Sequence, residues 1–250
     1  IILILVFGLI YSKETSFEQD RNRKNYIKLI SLLLILQSGL RNIAVGSDTY
    51  QYFEKFTTTK NTPWIQVYQY FFDHYNGAIG KDPGYSILVK FFQIFTTNYQ
   101  FYLIFIAVFF FYCLGRFIYY NTLKLNHAII AYTLYSVLFF FFFSITGHRQ
   151  TIATGIALLC FELIKKRKFF LFLFWILIAS TIHKSVLIVI PFYFFGSVKK
   201  SKLIAWISLI LFPIFIFFKQ NLFSSLKLLG AYEEYEQLEA AQTYNFTVLY

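Results

Sequence analysis

From Tyr99 to Gly115 the chain runs without a single charged side chain. That stretch reads as a membrane span and constrains everything around it. Composition agrees: 58% of residues are hydrophobic, 23% aromatic and only 14% charged, with a mean hydropathy of +0.56. A soluble chain of this length does not tolerate so little polar surface. The expected fold is all-α, a polytopic integral membrane protein of about seven or eight apolar segments, some short or re-entrant.

The other apolar runs are Ile1 to Ile10, Tyr26 to Leu40, Ala128 to Phe143, Thr151 to Ile164, Phe169 to Ile182, Ser185 to Phe195 and Leu203 to Phe218. Ile1 to Ile10 is too short to span alone and is expected to end a truncated first span, as Asn245 to Tyr250 is expected to be a cut end. The net charge of +11 does not point to nucleic acid, because the basic residues fall in short tracts between the apolar runs. Placing Ser12 to Asn25 in the cytoplasm and alternating at each span puts thirteen basic residues inside, among them Lys165 to Lys168, Lys199, Lys200 and Lys202. The opposite breaks hold only Arg149 and Lys184, as the positive-inside rule requires. Cys113 and Cys160 lie inside apolar runs without a partner at metal-ligand spacing and read as inert thiols.

Sidedness also settles the reading of His183. A continuous helix from Phe169 to Phe195 would be roughly 40 Å long and would put two basic tracts on opposite sides. A hairpin broken at His183-Lys184 avoids this, and its arms of about 21 and 17 Å leave His183 partway down the outer leaflet. Thr151 to Ile164 is short as well, so Arg149 is expected below the outer surface, in a cavity open to the extracytoplasmic side. Residues 41–98 are expected to form a long extracytoplasmic loop, with interfacial helices at Trp64 to Tyr75 and at Tyr85 to Phe95 after Pro83-Gly84. The acidic cluster Glu233, Glu234, Glu236 and Glu239 falls outside too. The whole chain, 1–250, reads as a single transmembrane domain without an internal repeat.

Polar groups therefore collect on one face: Arg41 with Asp48 and Tyr50, His148 with Arg149, and His183 with Lys184. An arginine at membrane depth is costly without a partner, and Arg149 opens a helix, where free N–H groups favour an anion. A phosphate-bearing ligand satisfies both. Arg149 can also snorkel or pair with Asp48 as a structural link. His183 can bond within its own hairpin, and His148 reads as a neighbour of Arg149 rather than a catalyst. Asp48, within Gly46-Ser-Asp-Thr-Tyr50, is either a turn residue or a general base beside bound phosphate. Tyr50, Tyr52 and Trp64 to Tyr75 are either a sugar-stacking surface or an aromatic belt.

Four motifs in order, Arg41-Asn-Ile-Ala-Val-Gly-Ser-Asp48-Thr-Tyr50, Asp82-Pro-Gly-Tyr85, Gly147-His-Arg149-Gln-Thr-Ile-Ala153 and Ile182-His183-Lys-Ser185, resemble the EpsG family of Wzy-like exopolysaccharide polymerases. The resemblance covers residues 26 to about 195. It implies a multi-pass enzyme of the bacterial cell membrane that joins repeat units carried on undecaprenyl diphosphate at the extracytoplasmic face. Its partners would be the lipid-linked donor, the growing glycan acceptor, membrane lipids and other polysaccharide-assembly proteins. A sugar hydroxyl attacks an anomeric carbon while a lipid diphosphate leaves, so cations and a base are needed. Arg41 and Arg149 are the expected diphosphate ligands and Asp48 or His183 the expected base, with Tyr50, His148 and Lys184 in support. Catalysis is expected to be metal-independent and to need no cofactor.

Other functions predict other features. A flippase or transporter of lipid-linked glycans would need alternating access, commonly from related halves. The polar groups here gather on the outer side only. An O-antigen-ligase-like enzyme shares the donor and differs in acceptor, and an acyltransferase would depend on His183 but not on Arg149 or Arg41.

Overall fold

Helices form where the apolar runs stand, but several begin or end where side chains satisfy their free backbone groups. The structure is a computed structural model that describes residues 1–12, 19–46, 48–77 and 82–195, all within the unit Ile1–Gly196. The basic tract Lys199 to Lys202, the run Leu203 to Phe218 and the acidic cluster Glu233 to Glu239 lie outside the described residues. The described residues are helical, without strands.

In chain order the helices are α1 Ile2–Ser12, α2 Gln19–Gly39, α3 Thr49–Asn61, α4 Trp64–Tyr75, α5 Pro83–Phe92, α6 Tyr99–Asn121, α7 Leu125–Leu138, α8 His148–Lys165, α9 Phe169–Ile182 and α10 Ile190–Phe195. A π-helical turn, Phe142–Thr146, joins α7 to α8, and a 3-10 turn, Lys184–Val189, joins α9 to α10. The hairpin expected at His183 is therefore present, although its second arm starts as a 3-10 helix. The run expected from Ala128 to Phe143 is interrupted, because α7 stops at Leu138.

The core is built on α6. Its Asn98 cap accepts a hydrogen bond from the Gln100 N–H at 2.8 Å, and its 23 residues reach about 35 Å. Among the described residues it alone is long and apolar enough to cross a membrane; α1, α7, α9 and the run Lys184–Phe194 are apolar but shorter. On α2, Tyr26, Ile30 and Leu34 recur every four residues and so share a face. That face packs on Ala107, Phe110, Phe111, Leu114 and Ile118 of α6 and on Ala128, Tyr132 and Tyr135 of α7. The α2–α6 contact is close because Gly115 stands where they meet: a Cβ there would lie 2.8 Å from Ser31 Oγ.

Ends of like chemistry meet. Arg23, early in α2, donates to the carbonyl of Tyr119 at 3.1 Å and pairs with Asp20 at 2.6 Å. Lys165, at the close of α8, donates to the carbonyl of Tyr120 at 3.3 Å. Both cations thus serve free carbonyls near the C-terminus of α6, where the helix dipole favours positive charge. The opposite end of the bundle carries the C-terminus of α2, the N-termini of α6 and α8 and the C-terminus of α9.

Over that opposite end lie α3, α4 and α5. Lys90 of α5 donates to the carbonyls of Thr59 and Lys60 at 3.1 and 3.0 Å, capping α3, and Gln93 donates to the carbonyl of Phe56 at 2.6 Å. Tyr99 of α6 anchors the start of α3 through its hydroxyl and the carbonyl of Thr49, 3.3 Å apart.

Candidate functional site

The site is organised by the π-helical turn. There the hydrogen bond spans five residues instead of four, as in Gly147 N–H to the Phe142 carbonyl at 2.9 Å. Carbonyls released from the α-helical pattern need other donors. Thr151 Oγ1 donates to the carbonyl of Phe143, Ser38 Oγ to that of Ser144 at 2.6 Å and Thr49 Oγ1 to that of Ile145 at 3.2 Å. The turn is thereby fastened to α2 and α3, and it hands the chain to α8 with His148 and Arg149 in the first turn.

His148 faces inward. It is buried, and its Nε2 lies 2.7 Å from Arg41 Nη2. A guanidinium can only donate, so Nε2 accepts and His148 is neutral with its proton on Nδ1. Arg41, 8% exposed, also donates to the Ser38 carbonyl at 2.6 Å. Burial holds the Arg41 guanidinium below its ordinary proton affinity.

Arg149 faces the other way, into a cleft of about 290 Å³ lined also by Asp48, Gln51, Tyr52, Lys55, Tyr70, Asp82, Tyr85 and Ser86. Its Nη1 pairs with Asp82 Oδ2 at 2.9 Å, and its Nε–H points to the Tyr52 hydroxyl at 3.4 Å. His183 Nδ1 lies 3.1 Å from the same Oδ2, so one carboxylate joins α5, α8 and the end of α9. Asp82 is held in left-handed conformation, φ +49°, which Asp adopts more readily than most residues. Next to it, Pro83 starts α5 where no N–H is needed, and Gly84 allows the turn to lie against α9, because a Cβ there would collide with the side chain and backbone of Thr181.

Lys55 is the second cation of the cleft. Its ammonium stands 5.1 Å from the centre of the Tyr70 ring. It has no carboxylate partner among the described residues. Partial burial, and after it the charge of Arg149, lower its affinity for a proton.

The residues expected from sequence thus separate into groups. Asp48 and Arg149 line the cleft. Asp48 is exposed and its carboxylate does not cap α3. His183 sits behind Asp82, its side chain 17% exposed. Arg41, expected as a diphosphate ligand, and His148 lie in the packing behind Tyr52 rather than in the cleft wall. Tyr50, 66% exposed, lines a separate shallow groove with Phe53, Glu54, Thr57, Thr58 and Asn61. Lys184 is exposed at the start of the 3-10 turn. Arg149 has its ion pair with Asp82, not with Asp48.

Two cleft residues, Asp82 and Lys55, were not singled out as site residues from the sequence. Asp82 carried a signal in the Asp82-Pro-Gly-Tyr85 motif; Lys55 carried none beyond standing seven residues after Asp48. Among the described residues no three His, Cys, Asp or Glu side chains gather in a way that could hold a metal ion.

These features define an all-helical protein with a membrane-length central helix and a cleft where arginine, lysine and carboxylates meet. The EpsG family model matches residues 24–249, and the chain belongs to that family. No curated protein and no solved structure matches the chain.

Proposed function

We propose that this protein is a membrane glycosyltransferase that polymerises polysaccharide repeat units carried on a polyprenyl diphosphate. The observation that carries the reading is Arg149: a guanidinium at the start of α8, held by Asp82 and Tyr52 and open to a cleft that contains a second cation. Membership of the EpsG family, which is associated with polysaccharide polymerisation, supports it. In this proposal the chain is a multi-pass protein of the bacterial cell membrane, 1–250 being one transmembrane domain. Residues 41–98 form an extracytoplasmic cap over a site that faces the same side. Its partners are the lipid-linked donor, the glycan acceptor, surrounding lipids and other assembly proteins.

The chemistry follows from the cleft. A hydroxyl oxygen of the acceptor sugar forms a bond to the anomeric carbon of the donor while the bond from that carbon to the diphosphate oxygen breaks. The electron pair leaves with the diphosphate, where the Arg149 guanidinium meets the charge as it develops. The hydroxyl proton goes to Asp48, a carboxylate that lines the cleft and is free of an ion pair in the described residues. His183 works through Asp82: by sharing Oδ2 with Arg149 it fixes the carboxylate that fixes the guanidinium, a positioning role.

Polymer length in cells carrying Arg149→Ala, with the amount of protein in the membrane measured alongside, tests the proposal. Glycan reduced to single repeat units at normal protein level is the expected result. Long polymer at normal protein level overturns it.

A further inference from the structure

The cleft has a direction. Asp48, Gln51, Tyr52 and Lys55 stand at i, i+3, i+4 and i+7 and so form one face of the α3 helix with its N-cap. Asp48 marks one end of this strip and Lys55 the other, about 10 Å apart along the axis. Arg149 meets the strip between them, through the Tyr52 hydroxyl. Its second partner, Asp82, brings one negative charge against the two positive charges of Arg149 and Lys55, which leaves the cationic end of the strip with more positive charge than the side chains around it neutralise.

Resting on the polymerase reading, we infer that Lys55 and Arg149 together hold the donor diphosphate and that the donor lies along α3, diphosphate towards Lys55 and sugar towards Asp48. Three observations meet here. The two cations line the same cleft and repel each other, a cost that a bound anion reverses. Lys55 has no carboxylate within ion-pair distance among the described residues, so a ligand need not displace a partner. The other end of the strip offers Asp48 and Gln51, acceptors and donors suited to sugar hydroxyls and unsuited, in the case of Asp48, to phosphate. A diphosphate has two charged groups to place and a single guanidinium serves one of them well; the ammonium at Lys55 serves the other as a point charge.

The orientation also fits the reaction. The attacked anomeric carbon lies between the leaving group and the base, so the proton acceptor at Asp48 and the cations at Arg149 and Lys55 belong on opposite sides of it. The Lys55 side chain is exposed and belongs to no core cluster, so its substitution leaves the fold intact.

The experiment is pyrophosphate binding by calorimetry to the full chain purified in lipid nanodiscs, comparing the parent with Lys55→Gln, Lys55→Arg, Arg149→Gln and Asp48→Asn. Expected are a roughly ten-fold weaker Kd for Lys55→Gln, the scale of one charge-assisted hydrogen bond, and near-parent binding for Lys55→Arg. Asp48→Asn should bind as tightly as the parent or more tightly. Parent-like binding by Lys55→Gln with loss in Arg149→Gln overturns the role of Lys55 and leaves the polymerase reading standing. Weakening by Asp48→Asn to the extent of Lys55→Gln overturns the orientation. Absence of pyrophosphate binding by the parent at millimolar concentration overturns the diphosphate site itself and, with it, the reading on which this inference rests.

Discussion

The imidazole of His148 stacks on the ring of Tyr52, centroids 4.2 Å apart and planes 15° from parallel. Behind it Arg41 fixes the imidazole from Nε2, and in front the Tyr52 hydroxyl meets Arg149. The buried arginine is therefore connected to the cleft arginine by two stacked rings. Tyr52→Phe keeps the stack and loses a long, weak hydrogen bond, so polymer formation should fall by less than about five-fold. Tyr52→Leu removes the stack as well and should cost about another 1 kcal/mol. The comparison is read as polymer yield per amount of protein in the membrane.

Arg41 and Arg149 should separate in their effects. Arg41→Gln leaves the Ser38 carbonyl and His148 Nε2 short of a strong donor inside the packing, and thermal unfolding in detergent should show about 2 kcal/mol lost. Its pyrophosphate affinity, measured on the protein that remains folded, should stay within about three-fold of the parent, because Arg41 does not line the cleft. Arg149→Gln should lose binding, and it should lose stability as well, because the buried Asp82 carboxylate is deprived of one of its two partners.

Asp82→Asn isolates charge from conformation. Asn accepts the left-handed backbone that Asp82 adopts, so the turn before α5 should persist. The ion pair to Arg149 is lost and the bond to His183 weakened. A fall in polymerisation of about ten- to a hundred-fold, with near-parent protein level, is expected. Asp82→Ala adds backbone strain to the same loss and should also reduce the protein level.

Gly84→Ala should act through spacing alone. The new Cβ meets Thr181 Oγ1, Cβ and backbone carbonyl carbon, so α5 must move off the end of α9, separating Asp82 from His183. A stability loss of about 1–3 kcal/mol is expected. Because a backbone atom is among the obstacles, Thr181→Ala should restore only part of it. Melting temperatures of the two single variants and the double variant check this.

Much of the helix pattern could be read from the sequence. The bounds of α4 and α9 coincide with the runs Trp64 to Tyr75 and Phe169 to Ile182, since apolar and aromatic composition changes sharply at both ends. The α3 helix was hidden: its Thr-rich, charged sequence, TYQYFEKFTTTKN, has no strong apolar stripe and owes its helicity to packing on α5 and α6. The gathering of Arg149 and His183 at one place was legible from the short runs and the sidedness of charge. Which carboxylate joins them was not. Asp48 stood beside the motif with Arg41, whereas Asp82 reaches His183 across 101 residues of chain, a contact set by the left-handed turn and by Gly84. Likewise, nothing in the string distinguishes Arg41, turned inward to His148, from Arg149, turned to the cleft.

The π-helical turn from Phe142 to Thr146 lets this segment absorb a residue without re-aiming the cleft. Take out one residue within the turn and it can close as ordinary α-helix: four residues at about 100° sweep nearly the same arc as five at roughly 80°. His148 would still face inward and Arg149 the cleft, and the loss would fall on the released carbonyls that take hydrogen bonds from Ser38 and Thr49. A relative one residue shorter here could thus keep the aim of its guanidinium while untying the turn from its neighbouring helices.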